Sequence, residues 1–350
     1  MNPSPKSFGY TMPPEWHPHS GTLLCWPVNR KTWPGMRINN VERVYIELIQ
    51  ALYKHETVHL LVHDESIRRR VTEKLKKANL PENAVTYHLH PSDDMWARDF
   101  GPVYVKNELG GVAVTDWIYN AWGGKYPPFN NDNKIPGYLA SAFNQMTFTP
   151  ELILEGGSID TNGKGVMLTT ESVLLNPNRN PDYTKAQIEE HLKEYLGQQQ
   201  VIWLKDGLAG DDTDGHIDDL SRFVSENVII TALADDPNDV NYKTLQHNYK
   251  ILKAAENPSG GKFEIIPIPM PRNKINGTTV DGSKYVPASY ANFYIANGLV
   301  LLPLYDERYD DQVRELFCQL FPDRDVTGID CTDLVWGQGG IHCVTQQMYY

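Results

Sequence analysis

Cys343 sits in the run Gly337-Gln338-Gly339-Gly340-Ile341-His342-Cys343-Val344-Thr345-Gln346-Gln347, where three glycines make a flexible approach to an apolar stretch carrying a thiol. A thiolate is a strong nucleophile, so Cys343 is a candidate for covalent chemistry. The plain alternative is a buried structural cysteine, the usual state of a free thiol. If this run is a strand, Ile341, Cys343 and Thr345 share one face and His342 points the other way. A base for Cys343 should then come from elsewhere in the chain.

Asp211-Asp212-Thr213-Asp214-Gly215-His216-Ile217-Asp218-Asp219 offers one. Extended geometry places His216 and Asp218 on the same side, and a carboxylate beside an imidazole stabilises its charged form, which suits general acid/base work. The competing account is a solvated acidic turn. In Asp93-Asp94-Met95-Trp96-Ala97-Arg98-Asp99-Phe100-Gly101-Pro102, Asp94, Trp96 and Arg98 alternate onto one side. A carboxylate next to an indole face makes a pocket for a delocalised cation. Against that stands a surface Arg98–Asp99 ion pair flanking a buried tryptophan. Finally, Glu155 in Leu154-Glu155-Gly156-Gly157-Ser158 lies between an apolar strand and two glycines. A ligand could approach the backbone closely there, although a strand-ending turn would look the same.

One thiol, one histidine and three carboxylates suit attack on a guanidinium. That group is planar and stays protonated at neutral pH. Carboxylates can grip its N–H edges in bidentate fashion and fix its plane, leaving the carbon open to a thiolate from above. No metal is needed for such a reaction, and no cofactor is expected. Gly157-Ser158-Ile159-Asp160-Thr161-Asn162-Gly163-Lys164 misses a phosphate loop by one residue of spacing, with Gly165 in place of Ser or Thr. Asp212-Thr213-Asp214-Gly215 has the look of a calcium loop, but Gly210 and Ser221 stand at its two end-ligand positions.

The elements that must hold these residues are short. The chain has 350 residues, 41% hydrophobic and 22% charged, an ordinary globular balance. Apolar runs of strand length recur at Leu23–Trp26, Val58–Val62, Val85–Leu89, Val103–Val105, Val112–Trp117, Leu152–Leu154 and Gly165–Leu168. They continue at Val173–Leu175, Val201–Leu204, Val228–Thr231, Phe263–Ile268, Phe293–Ala296, Leu299–Leu302 and Ile341–Thr345. Helical spacing is clearest over Val41–Tyr53, with Asn39 as its expected cap. Further helices are expected near Glu65–Ala78, Tyr183–Leu196, Val240–Ala255 and Asp310–Leu320. Strand groups interrupted by single helices, about five times over, indicate a modular α/β fold closed as one domain over 1–350, with 1–10 a loosely ordered start.

The net charge of −12 argues against nucleic acid and anionic membrane surfaces as partners, and no apolar run reaches the ~20 residues of a membrane helix. The four cysteines (25, 318, 331 and 343) have no metal spacing and no CxxC pair, which fits reduced thiols and a cytoplasmic protein.

Taken in order, these segments resemble those of the agmatine deiminases and the bacterial peptidylarginine-deiminase-like family around them. Met12-Pro13-Pro14-Glu15-Trp16, His19-Ser20-Gly21-Thr22, Trp26-Pro27 and Leu175-Asn176-Pro177-Asn178-Arg179-Asn180-Pro181 extend the likeness over essentially the whole chain. The resemblance implies the five-bladed α/β propeller of the guanidine-modifying (pentein) superfamily. It implies Cys343 as nucleophile and His216 as acid/base. Asp94 and Asp218 become guanidinium anchors, Glu155 the partner of His216 or of the guanidinium, and Trp96 a pocket wall. The expected substrate is a small cationic guanidino compound, agmatine first, with peptidylarginine or free arginine as alternatives. Amidinotransfer or a non-catalytic propeller that binds a partner are further alternatives, and relatives lead one to expect a homo-oligomer. One departure stands next to the nucleophile: the family usually reads Gly-Gly-Gly-Asn before Ile-His-Cys, and Gly340 takes the asparagine's place here.

Overall fold

The computed structural model describes residues 4–258, 260–279 and 281–350. Apolar residues at helical spacing build the helix Arg37–Leu52, whose buried stripe is Val41, Val44, Tyr45, Leu48, Ile49 and Leu52. It begins earlier than expected, after Met36, so Asn39 lies inside it and caps nothing. Asp64 starts the helix Glu65–Lys77 by accepting hydrogen bonds from the backbone N–H groups of Ser66 and Ile67. Thr184 and Gln187 form a reciprocal cap on Lys185–Leu196, which ends at Gly197 in the left-handed region.

Among the described residues the strands form five sheets, and all repeat one plan. Two strands pair antiparallel, the second leads through a helical segment, and a third strand returns parallel to the second. Strands β4 (Val103–Lys106), β5 (Val112–Thr115) and β6 (Met146–Phe148) do this around the helix Ile135–Ala142. Strands β7 (Asp160–Thr161), β8 (Val166–Thr170) and β9 (Gln200–Leu204) do it around Lys185–Leu196. The helix Tyr242–Ala254 serves β10 (Ser221–Ser225), β11 (Val228–Leu233) and β12 (Glu264–Pro269). Asp310–Leu320 serves β13 (Tyr294–Ala296), β14 (Leu299–Leu304) and β15 (Asp325–Asp330). In the fifth module β1 (Gly21–Cys25) and β2 (Thr57–Val62) are parallel around Arg37–Leu52, and β3 (Thr86–Leu89) is added at the edge. Its antiparallel partner is β16 (Thr345–Met348), so the last strand pairs with the first and closes the ring. This is the five-bladed α/β propeller that the resemblance implies.

The middle strands are flanked on both sides, which is why β8 and most of β14 read as unbroken buried runs. Four expectations differ. Val173–Leu175 belongs to a helical turn, Glu171–Leu174, and Leu152–Leu154 makes an isolated bridge through Ile153 in place of a strand. Cys343 lies in a helical turn, Ile341–Val344, and extended geometry starts at Thr345. The start of the chain is held where it is described. Pro5–Phe8 form a short helix, Ser4 and Lys6 bond to Glu194, and Tyr10 is buried. Loose order is therefore not found for residues 4–10, and residues 1–3 lie outside the described range. No helix among the described residues is long and apolar enough to cross a membrane.

Candidate active site

The candidate residues sit in loops and short helical turns between strands. After β3 the chain turns through Asp93 and Asp94, whose backbone N–H groups both donate to the Asp132 carboxylate (2.7 and 3.0 Å). Asp94 then accepts from Met95 N, Asn29 Nδ2 and Thr32 Oγ1. Burial pushes its carboxyl up to about 6 against those hydrogen bonds. The next residues form a helical turn, Ala97–Phe100, which sends Arg98 and Asp99 in different directions. The surface Arg98–Asp99 pair of the competing account is absent. Both side chains are buried, and Arg98 bonds Glu15 (3.2 Å), Gln347 (2.7 Å) and the His342 carbonyl (3.3 Å).

Asp99 faces the opposite way, to His216. The Asp99 Oδ1 to His216 Nδ1 distance is 3.6 Å, shorter than the 4.0 Å from that nitrogen to Asp218 Oδ1. Burial disfavours a charged His216, but Asp99, Asp218, Glu155 and Asp211 outweigh it and raise the ring above its ordinary value. Burial also pushes the Asp99 carboxyl up to about 7, with His216 opposing. Gly157 makes this assembly possible. A Cβ there would lie 2.6 Å from His216 Nδ1, 2.7 Å from Asp99 Oδ1 and 3.0 Å from Asp218 Oδ2.

The thiol joins the same group. Cys343 Sγ is 3.7 Å from Asp218 Oδ2, and that oxygen also accepts from His342 Nδ1 at 2.7 Å. The other His342 nitrogen meets Glu15 Oε2 at 2.7 Å. His342 and Cys343 thus meet the same Asp218 oxygen from one helical turn, where opposite faces of a strand were expected. Burial, then Asp218, Asp219 and Asp99, push the Cys343 thiol well above its ordinary value. Asp218 itself is lowered, because His342 and His216 overcome the cost of its burial. Glu155 is also present, but its bonded partner is Arg179, whose Nε donates to Oε1 at 2.6 Å. Its other oxygen has no hydrogen-bond partner among the described residues, and the same holds for Asp218 Oδ1 and both His216 ring nitrogens. Buried polar atoms are nearly always paired, so these point at a polar ligand.

A pocket of about 650 Å³ opens onto this group. Asp94, Trp96, Asp99, Trp122 and Cys343 line it, with Asn29–Thr32 at one side. His216, Asp218 and Glu155 are fully buried behind that wall. Among the described residues one set could offer three metal ligands, Asp218, Asp219 and Cys343, with ligand atoms within 4.8 Å of one another.

The family model for Porphyromonas-type peptidyl-arginine deiminases matches residues 11–348. The chain belongs to this family. It is 37% identical over 99% of its length, and 97% of the relative's, to a Legionella pneumophila (strain Paris) protein named as a candidate agmatine deiminase. Its fold superposes on the agmatine deiminase of Enterococcus faecalis with a TM-score of 0.90, at 29% identity over 99% of this chain and 98% of that one. A cysteine-to-serine variant of agmatine deiminase from C. jejuni, solved with substrate bound, gives 0.86 at 30% identity, covering 97% and 96%.

All the anticipated residues of this family member, Asp94, Trp96, Glu155, His216, Asp218 and Cys343, gather at this one place. Asp99 and Arg179 were not anticipated. The Asp99 signal was the flanking tryptophan and Gly-Pro, which mark a turn in which alternate residues no longer share a face. Arg179 carried no local signal, since its partners Glu155 and Asp214 are 24 and 35 residues away in sequence. The glycines before Cys343 serve close packing more than flexibility. A Cβ on Gly337 would meet Trp33 at 2.2 Å, and one on Gly339 would meet Trp96 at 2.3 Å.

Proposed function

We propose that the protein is an agmatine deiminase, converting agmatine and water to N-carbamoylputrescine and ammonia. The observation that carries this reading is the buried cluster of a thiol, a histidine and two carboxylates with unpaired oxygens behind a pocket of substrate size. Full-length relatives and structural neighbours bearing that activity in their names support it.

In the scheme, the guanidinium binds with its N–H edges toward Asp94, Asp218 and Glu155. Once the cationic guanidinium is bound, the Cys343 thiol gives up its proton to solvent, and Sγ, as thiolate, bonds to the central carbon. His216 in its charged form gives its proton to one terminal nitrogen, the C–N bond breaks and ammonia leaves, so a thiouronium remains on sulfur. Water then attacks the same carbon while the now neutral His216 takes its proton. The C–S bond breaks, the thiolate departs with the electron pair, and the remaining hydroxyl proton passes to solvent as the ureido carbonyl forms. Asp99 keeps His216 charged for the first half.

A second reading keeps the chemistry and changes the substrate tail. Arg30 and Lys31 line the pocket and would suit the carboxylate of free arginine or of a C-terminal arginine. Ammonia release from agmatine, free arginine and an arginine-ending peptide, run in parallel, decides between them. Release from agmatine alone is the expected result. A folded Cys343→Ala variant that kept turnover would overturn the scheme.

A further inference from the structure

Asn292, fully buried just before β13, touches the proposed nucleophile and has no part in the scheme above. Its Nδ2 donates to Cys343 Sγ at 3.1 Å and to Asp219 Oδ1 at 2.9 Å. Its Oδ1 accepts from His342 N at 2.8 Å and Cys343 N at 3.4 Å. The orientation of this amide is fixed by its neighbours. Two backbone N–H groups can only donate, so they must face the oxygen, and the NH2 group must therefore face the sulfur and the carboxyl.

Gly340 lies against the same side chain. A Cβ there would stand 2.5 Å from Asn292 Oδ1 and 2.9 Å from its Cγ. The residue three before the nucleophile thus has no side chain because the amide of Asn292 fills that space. Asn292 also grips the turn by its main chain, its carbonyl accepting from His342 N at 3.1 Å.

We propose that Asn292 is a catalytic residue whose amide N–H holds and steadies the Cys343 thiolate, with Gly340 left bare to admit it. The proposal rests on Cys343 being the nucleophile. Burial works most strongly against ionisation of the sulfur, the carboxylates Asp218, Asp219 and Asp99 add to it, and the Gly340 backbone opposes them. A neutral N–H donor opposes them without adding a charge, and hydrogen bonds to a charged acceptor are stronger than those to a neutral one. When the C–S bond breaks in the second half-reaction, the same N–H receives the returning thiolate.

The test uses Asn292→Asp and Gly340→Ala. The first keeps shape and the accepting oxygen but replaces the donor. The second pushes the amide off the sulfur. Alkylation of Cys343 by iodoacetamide is followed on its own peptide by mass spectrometry across pH, since exposed Cys318 also reacts. Both variants are expected to shift the alkylation profile to higher pH and to lower kcat at least tenfold, with KM changed less. A folded Asn292→Asp protein with unchanged profile and kcat overturns the proposal. Cys343→Ala is run alongside. If it is inactive while Asn292→Asp is normal, the Asn292 role fails and the nucleophile stands. If Cys343→Ala turns over, the underlying reading fails.

Discussion

Replacing Asp99 by Asn removes the charge nearest to His216 while keeping the side chain's shape. At 3.6 Å two unit charges in a protein-like dielectric interact by on the order of 4 kcal/mol. The Asp99 carboxyl is pushed up to about 7 by burial, so near neutral pH it is ionised about half the time. The effective support for the His216 cation is then about 2 kcal/mol, a factor of about 30. Loss of that support lowers the affinity of His216 for its proton, and the form able to protonate departing ammonia persists over a narrower range. The alkaline limb of kcat should move to lower pH by about one pH unit or more, and kcat near pH 8 should fall by about tenfold or more. Asp99 also accepts from Trp122 Nε1 (3.0 Å) and Gly157 N (3.1 Å). The variant keeps one acceptor oxygen and loses the other, a stability cost of about 1–3 kcal/mol. Initial rates of ammonia release from pH 6 to 10, with a Tm for each protein, give both quantities. A folded variant with the wild-type pH profile and kcat within threefold would refute the argument that Asp99 governs His216.

Gly157→Ala should lower kcat by about a hundredfold, because its Cβ would intrude between His216, Asp99 and Asp218 and misplacing catalytic groups by about 1 Å costs that much; steady-state kinetics on folded protein checks it. Thermal stability should peak in mildly acid solution. Burial raises Asp132 to about 8 and Asp212 to about 7, so their contribution is fully present below their unfolded values near 3.9 and is lost as pH rises through 7 to 8. Glu15 is held well below its ordinary value, Arg222, His342 and Arg98 outweighing the cost of burial, so its contribution is lost as pH falls below about 4. A Tm that climbed steadily from pH 4 to 8.5 would contradict this balance. A haloacetamidine, which carries the guanidinium-like charge, should alkylate Cys343 over Cys318 at least tenfold more selectively than iodoacetamide does, since one charge-assisted hydrogen bond is worth about 1.5–3 kcal/mol; peptide mass spectrometry of both thiols reads the ratio.

The site was more legible in the sequence than the elements that carry it. Cys343, His216, Asp218, Glu155 and Asp94 stand beside glycines or in acidic clusters that a plain strand or turn does not require, and the structure gathers them. Their local geometry was not legible, because period-two alternation was assumed where the chain makes helical turns at Ala97–Phe100 and Ile341–Val344. Alternation gave a reason to look past His342 and hid Asp99, which a helical turn points at His216. Strands β6, β7, β10 and β15 went unanticipated for a different reason. They are short or polar, and Asp160 and Arg222 on β7 and β10 pair with each other in the interior (3.0 Å) where hydrophobic patterning sees only charge. Asn292 had no sequence signal at all. Its role depends on Gly340, 48 positions later, leaving space for it.

The charge around the sulfur bears on selectivity. Burial, with Asp218, Asp219 and Asp99 acting in the same direction, pushes the Cys343 thiol well above its ordinary value, so the resting group favours the protonated form. A neutral electrophile reaching the pocket meets a poor nucleophile. In the proposed scheme a guanidinium brings the missing positive charge, pairs with the carboxylate oxygens that lack a hydrogen-bond partner, and so removes the electrostatic objection to a thiolate at the moment its carbon comes within reach. His216 follows the opposite logic. Two of the carboxylates that suppress the thiol, Asp99 and Asp218, also favour the imidazolium, so in the proposed scheme the proton donor is in place before substrate arrives. In the proposed scheme Asp99 and Asp218 thereby keep the acid ready and the nucleophile off, and the substrate's own charge couples the two. In the proposed scheme the carboxylates would select for cationic amidines by controlling reactivity as well as affinity, which a pocket lined by neutral hydrogen-bond acceptors would not do.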